Sequence, residues 1–256
     1  MRTALITGAT SGIGKSTAYL LAKNGFRLIL CGRRNERLQN IESDLKSKTE
    51  ILIRCFDVRD RNLVGEILNH LPDTWKNIDI LINNAGNAHG LAPVQEGNID
   101  DWDAMMDSNV KGLLYVSRAI IPGMVQRKTG HIINIGSLAG KEVYPSGNVY
   151  CASKYAVDAI TKGMRIDLNE YNIKVTAINP GLVDTEFSLV RFKGNEQKAR
   201  DVYKGLKPLS ADDIAEIILF VLTRPAHVTI VDLLVLPTAQ ASVANVHRTE
   251  DKTFKA

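Results

Sequence analysis

Short runs of aliphatic and β-branched residues recur along this chain, separated by stretches long enough for helices. After Ala4–Ile6 they read "RLILCG" (27–32), "EILIRCFDV" (50–58), "IDILINNAG" (78–86), "HIINIGS" (131–137), "IKVTAINPG" (173–181) and "TIVDLLVLP" (229–237). A strand that is apolar at successive positions must be covered on both faces, and the intervening segments carry helical period. The pattern dictates an α/β chain, with one doubly wound domain, a mostly parallel central sheet and helices on both faces. No linker, repeat or low-complexity segment interrupts it before about residue 237. The expected division is a domain over 1–236 and a C-terminal tail over 237–256, frayed from about Thr249.

The first strand runs into "TGATSGIGKST", where Gly8, Gly12 and Gly14 interrupt the apolar pattern before a helix begins near Lys15. Such a turn aims the N–H groups and the positive dipole end of the helix at one point, where a pyrophosphate can sit. The spacing is G-x-x-x-G-x-G rather than G-x-G-x-x-G, so by itself the turn equally fits an ordinary structural loop. Several other runs also end in small or polar residues, namely Asp57, Asn83–Gly86, Ser137 and Asn179–Gly181. In an open α/β sheet the ligand binds beyond the carboxyl ends of the strands, so these residues are expected to border one cleft.

Composition narrows what that ligand is. The 32 Lys and Arg are dispersed among 28 Asp and Glu, and a net charge of +4 over 256 residues argues against a nucleic-acid surface. Cys31, Cys55 and Cys151 lie far apart and His89, His131 and His227 are scattered, so no metal site and no disulfide set are expected. That cysteine usage fits a reducing compartment. No apolar run approaches the ~18 residues of a membrane span, and Gly8 breaks the N-terminal apolar stretch. The expectation is a cytoplasmic protein without a membrane partner.

One segment is equipped for proton transfer. In "YCASKYAVDAITKGM" Tyr150 and Lys154 stand four residues apart, so on a helix both project from one face. A nearby ammonium favours the phenolate and would lower the phenol's pKa from near ~10, making Tyr150 a usable general acid and base. Cys151 is one helical step away, about 100° around the axis, and is expected to pack rather than react.

With "TGATSGIG" (7–14), "NNAG" (83–86), Asn109, Ser137, "YCASK" (150–154) and "PGLVDT" (180–185) in this order, the chain resembles the classical short-chain dehydrogenase/reductase family over nearly its whole length. The stretches "PGMV", "GHIINIGS", "NVY", "EFSLVRFKG" and "NVHR" resemble its NADP-dependent serine/3-hydroxy acid dehydrogenase branch. The resemblance implies a Rossmann-type fold and a catalytic set of Asn109, Ser137, Tyr150 and Lys154. In it Ser137 donates to the substrate oxygen, Asn109 holds a water that connects Lys154 to solvent, and Lys154 also bonds the nicotinamide ribose. Cofactor contacts carried over by position are Gly8, Thr10, Ser11, Gly12, Ile13 and Gly14 in the turn, Asp57 and Val58 at the adenine, and Asn84, Ala85 and Gly86 at the ribose. Pro180, Gly181, Val183 and Thr185 complete them, with Thr185 at the carboxamide.

The family's NAD-dependent members place an acidic residue after the second strand, about 20 residues past the glycine turn. Here Arg33 and Arg34 stand there, and guanidinium groups fork onto a 2′-phosphate, so NADP is the expected cofactor. Ser11 departs from the basic residue that many NADP-using relatives carry before the second motif glycine.

Residues 182–205 resemble a mobile substrate lid. Arg191 is expected to receive a substrate carboxylate, with Lys193 as the alternative, and Val143 and Tyr144 to wall the apolar side near Ser137 and Tyr150. The implied substrates are short 3-hydroxy acids such as serine, allo-threonine, 3-hydroxypropionate or 3-hydroxyisobutyrate. The alternatives are a ketone or 3-oxoacyl reductase on the same scaffold, or a non-catalytic NADP-sensing protein. The family also implies a homotetramer or homodimer, for which the apolar periodicity of 105–125 and 149–168 leaves faces to bury.

Overall fold

The computed structural model describes residues 1–249. Seven strands, β1 (Thr3–Thr7), β2 (Arg27–Gly32), β3 (Ile51–Cys55), β4 (Ile80–Asn83), β5 (Gly130–Ile135), β6 (Ile173–Pro180) and β7 (Asp232–Val235), form one sheet in the order β3-β2-β1-β4-β5-β6-β7. Every neighbouring pair is parallel. Helices α1 (Gly12–Lys23), α2 (Asn35–Leu45) and α3 (Arg61–Asn69) each follow the strand of the same number. Between β4 and β5 lie α4 (Ile99–Met106) and α5 (Leu113–Arg127), joined by a π-helical turn at Asp107–Gly112. α6 (Asn148–Leu168) precedes β6, and α7 (Glu186–Arg191), α8 (Glu196–Asp201) and α9 (Ala211–Leu222) lie between β6 and β7.

Strand periodicity divides the core between the two faces. On β1, Ala4 and Ile6 pack with Ala18 and Leu21 of α1 and with Ile214 and Ile218 of α9. Leu5, pointing the other way, packs with Ile29, Leu81 and with Val116, Ile120 and Met124 of α5. Each fully buried aliphatic side chain contributes about 1.5–3 kcal/mol, which explains why the central strands tolerate no polar alternation. The doubly wound architecture is the one dictated by the sequence pattern.

Several strands are shorter than their apolar runs, for a reason that bears on function. Pairing of β2 with β3 stops at Gly32 opposite Cys55, and pairing of β4 with β5 stops at Asn83 opposite Asn134. Beyond those points the chain leaves the ladder, and Asp57, Asn84–Gly86 and Ser137 become loop residues at the sheet's carboxyl edge. At the outer edge, β7 pairs with β6 only from Ala177 opposite Asp232 to Pro180 opposite Val235, so its run of apolar residues is only partly strand. The strand order reverses between β1 and β4, which opens the crevice where ligands of such sheets bind.

Candidate active site

A cavity of about 450 Å³ runs beyond the carboxyl ends of β1 to β6. At its centre the glycine turn explains its own composition. Gly8 (φ +65°) and Gly12 (φ +49°) adopt left-handed backbone, and a Cβ on Gly14 would overlap the Gly8 carbonyl oxygen. The Asn84 side chain donates to the Thr7 (2.9 Å) and Gly8 (3.2 Å) carbonyls, and the Thr7 hydroxyl accepts from the Asn84 and Ala85 N–H groups, both at 3.0 Å. Thus Asn84 pins the turn from the β4 side. Ser11 caps α1 in extended backbone without a side-chain capping bond, leaving the helix's N-terminal amides directed at the cavity. Asn83 has a purely internal role, donating to Ser117 (3.0 Å) and Asn134 (2.9 Å).

Beyond β2 and β3 the cavity is rimmed by charge. Arg34 donates through Nε and Nη2 to the Thr10 hydroxyl (3.1 and 2.9 Å) and through Nη2 to the Ser11 hydroxyl (2.7 Å). Arg33 stays more exposed, 3.5 Å from the Asp57 carboxylate. Asp57 also accepts a forked pair of bonds from Arg59. Burial pushes the Asp57 carboxyl up, but the bonds and charge of Arg59, with the charge of Arg33, outweigh it and hold the group below its ordinary range.

At the other end the strand-end loop after β5 meets α6. Ser137 caps the short turn Leu138–Gly140, its hydroxyl accepting from Ala139 N–H at 3.1 Å, and both it and Tyr150 line the cavity. Lys154, one turn along α6, is only 8 % exposed and donates to the Ile135 carbonyl at 3.0 Å. Burial pushes its pKa down to about 8. Burial likewise pushes the Tyr150 phenol above its ordinary value, and the charge of Arg191 and the nearby Ser137 hydroxyl oppose that rise. The Lys154 ammonium thus faces a backbone carbonyl, and Arg191 adds a second cation near the phenol.

Asn109 lies in the π-helical turn, and both ends of its amide are hydrogen-bonded. Oδ1 accepts from Asn87 N–H (2.8 Å) and Ser108 Oγ (3.2 Å), while Nδ2 donates to the Asn87 carbonyl (2.9 Å) and Ser153 Oγ (3.0 Å). The Ser108 hydroxyl has one proton and lies closer to the Ala104 carbonyl (2.7 Å), so Asn109 Oδ1 keeps acceptor capacity for a further donor. Gly86 is small for a related reason, since a Cβ there would come within 3.0 Å of Asn109 Oδ1.

The segment after β6 closes the cavity. Thr185 caps α7, and the first residue of that helix, Glu186, reaches across to Arg34 (2.7 Å) and Arg37 (2.6 Å). Phe187 tilts against Tyr150 with ring centres 5.6 Å apart. Arg191, at the end of α7, lies over the Tyr150 ring at 4.8 Å and donates to the Tyr144 hydroxyl at 2.6 Å, while its Nε is buried without a hydrogen-bond partner. Lys193 instead pairs with Asp101 at 3.0 Å. Tyr144 lines the cavity, whereas its neighbour Val143 is 63 % exposed and lies outside the lining.

The pattern also missed residues of the tail. Gln240, with no periodicity around it to mark it, accepts from Leu182 N–H at 2.9 Å, and a Cβ on Gly181 would overlap its side-chain oxygen. Val243, anchored by its N–H to Glu142, forms part of the cavity wall. Residues 250–256, part of the stretch expected to fray, lie outside the described residues. Among the described residues no group of His, Cys, Asp and Glu is arranged to hold a metal ion, and no helix is long and apolar enough to cross a membrane.

Residues 2–196 match the short chain dehydrogenase family model, and the chain belongs to that family. Among its relatives, the NADP-dependent 3-hydroxy acid dehydrogenase of Salmonella typhi is 45% identical over 246 residues, covering 95% of this chain and 98% of the relative. The NADP-dependent 3-hydroxy acid dehydrogenase of Schizosaccharomyces pombe is 44% identical over 250 residues, covering 96% of both chains. A closed form of serine dehydrogenase complexed with NADP+ superposes with a TM-score of 0.92 at 45% identity, covering 96% of this chain and all of that one.

Proposed function

We propose that this chain is an NADP-dependent oxidoreductase that moves a hydride between nicotinamide and the 3-hydroxyl or 3-oxo carbon of a short 3-hydroxy acid. Serine, allo-threonine, 3-hydroxypropionate and 3-hydroxyisobutyrate are the candidate substrates. The names of the similar proteins support the cofactor and the substrate class. The cavity fits the cofactor, with a glycine turn too tight for side chains, an open helix N-terminus and arginines after β2. When bound, the nicotinamide supplies the hydride donor or acceptor.

The rest of the chemistry falls to the chain. Arg33 and Arg34 hold the 2′-phosphate, the start of α1 the pyrophosphate, Asp57 and Val58 the adenine, and Asn84 to Gly86 the adjoining ribose. Thr185, with Pro180, Gly181 and Val183, holds the carboxamide end. Ser137 donates to the substrate oxygen and stabilises its developing charge. Tyr150 takes the hydroxyl proton in oxidation and returns it in reduction. Lys154 bonds the ribose and, with a pKa near the working range, passes the proton onward. Residues 182–205 act as the lid on a domain spanning 1–236.

One observation carries the choice of an acid, namely the buried, unpartnered Nε of Arg191 beside the Tyr150 ring. A buried donor without a partner costs about 1–3 kcal/mol, and a substrate carboxylate supplies both the missing acceptor and the opposite charge. A long acyl chain would gain nothing from that group. The test is turnover of short 3-hydroxy acids, their methyl esters and simple alcohols with NADP; the acids should have the highest kcat/KM, and equal turnover of the esters refutes the carboxylate reading. We also read the chain as a homotetramer or homodimer, supported by Leu114, Tyr155 and Ile166, exposed on α5 and α6.

A further inference from the structure

Glu186 places a negative charge at the end of the cleft where the nucleotide's phosphate is read. Its two carboxylate oxygens are divided between two arginines, Oε2 on Arg34 Nη1 at 2.7 Å and Oε1 on Arg37 Nη1 at 2.6 Å. Burial pushes the Glu186 carboxyl up, but the bonds and charges of the two arginines outweigh it and hold it below the ordinary carboxylate range, so the group is ionised at neutral pH.

Arg34 is thereby nearly saturated. A guanidinium has five N–H donors. Arg34 directs Nε and Nη2 at the Thr10 and Ser11 hydroxyls and Nη1 at Glu186. The two hydroxyls are neutral and can rotate to donate to an arriving phosphate, so they yield at little cost. Glu186 cannot, because an ionised carboxylate only accepts, and it repels a phosphate that draws near the same guanidinium. Arg37 keeps the carboxylate in place after Arg34 has turned to another anion.

We propose that Glu186 competes with the nucleotide 2′-phosphate for Arg34 and thus limits how strongly the site prefers NADP over NAD. The inference rests on the reading of Arg33 and Arg34 as the phosphate ligands. It makes a lid residue, the first of α7, a determinant of cofactor selectivity, and it runs against the intuition that a residue bonding Arg34 must help it bind phosphate.

The experiment is calorimetric binding of 2′,5′-ADP and of 5′-AMP to the full chain and to Glu186→Gln, Arg34→Ala and the double variant. Glutamine keeps the length of the side chain and removes its charge. Glu186→Gln should tighten 2′,5′-ADP by about threefold to tenfold and leave 5′-AMP unchanged, as expected for removal of one partly exposed like charge. That gain should vanish in the Arg34→Ala background, where there is no guanidinium to compete for. Weaker or unaltered binding of 2′,5′-ADP by Glu186→Gln overturns the proposal and makes Glu186 a support for Arg34. Undiminished binding of 2′,5′-ADP by Arg34→Ala alone overturns instead the assignment of Arg34 to the phosphate. Glu186→Ala, measured alongside, should change 2′,5′-ADP binding in the same direction if charge is what matters.

Discussion

The Arg191 guanidinium carbon lies 4.8 Å from the centre of the Tyr150 ring, and its charge opposes the burial that pushes the phenol's pKa up. One cation, at the end of α7, thus faces both the Tyr150 phenol and the cavity beside it. Oxidation needs the phenolate, so kcat/KM in that direction should rise with pH. The apparent pKa of the rise belongs to the coupled unit of Tyr150, Ser137 and their neighbours. Removing the cation disfavours the phenolate further. The Arg191→Met profile should therefore be displaced toward higher pH, and an unmoved profile would show that Arg191 does not act on Tyr150.

Lys154 is expected to reveal itself in stability as well as turnover. Burial lowers its pKa to about 8, below the ~10.4 of an unfolded lysine. Between those values the folded chain binds fewer protons than the unfolded one, so this group makes stability rise with pH, and below about 8 it is a net burden. Lys154→Met should lose nearly all activity, yet show a flatter dependence of unfolding free energy on pH between 8 and 10. The difference should be on the order of 3 kcal/mol at most. Parallel urea titrations of the two proteins that stay parallel across this interval would rule the effect out.

Two glycines should respond oppositely to alanine. At Gly14 the new Cβ overlaps the Gly8 carbonyl oxygen, so Gly14→Ala should distort the turn, cost about 1–3 kcal/mol and weaken nucleotide binding. At Gly163, inside α6, nothing lies within 4 Å of the new Cβ, and the substitution should gain about 0.5–1 kcal/mol from helix propensity. Thermal melting of both variants tests the packing of the turn against an internal reference.

Cofactor preference should reside in the arginines after β2. Replacing Arg33 and Arg34 together by alanine should raise KM for NADPH by an order of magnitude or more, given ~1.5–3 kcal/mol per charged hydrogen bond, and change KM for NADH little. Equal losses with the two cofactors would remove the arginines from phosphate recognition.

Much of this was legible in the sequence because it is local. Short β-branched apolar runs that alternate with helical segments fit covered strands, and a Tyr and a Lys four apart on a helix share a face. The strand-end residues fell around one cleft because the sheet's topology leaves them nowhere else. What escaped is long-range or made by backbone. Glu186 bonds Arg34 across 152 residues, and Gln240 meets Leu182 across 58. Lys154 faces the Ile135 carbonyl, a group every residue carries and no pattern marks. Val143 and Tyr144 show the same limit within one loop, where adjacency in sequence does not say which side chain turns inward.

The most direct test of the central claim compares a 3-hydroxy acid with its methyl ester in Arg191→Met, at a pH where both proteins have reached their alkaline plateau. If Arg191 receives the carboxylate, KM for the acid rises about tenfold to a hundredfold, in line with a lost charged hydrogen bond, and KM for the ester rises far less. If acid and ester suffer alike, Arg191 serves only to hold α7 against Tyr144 and Tyr150, and the substrate's charge is met elsewhere.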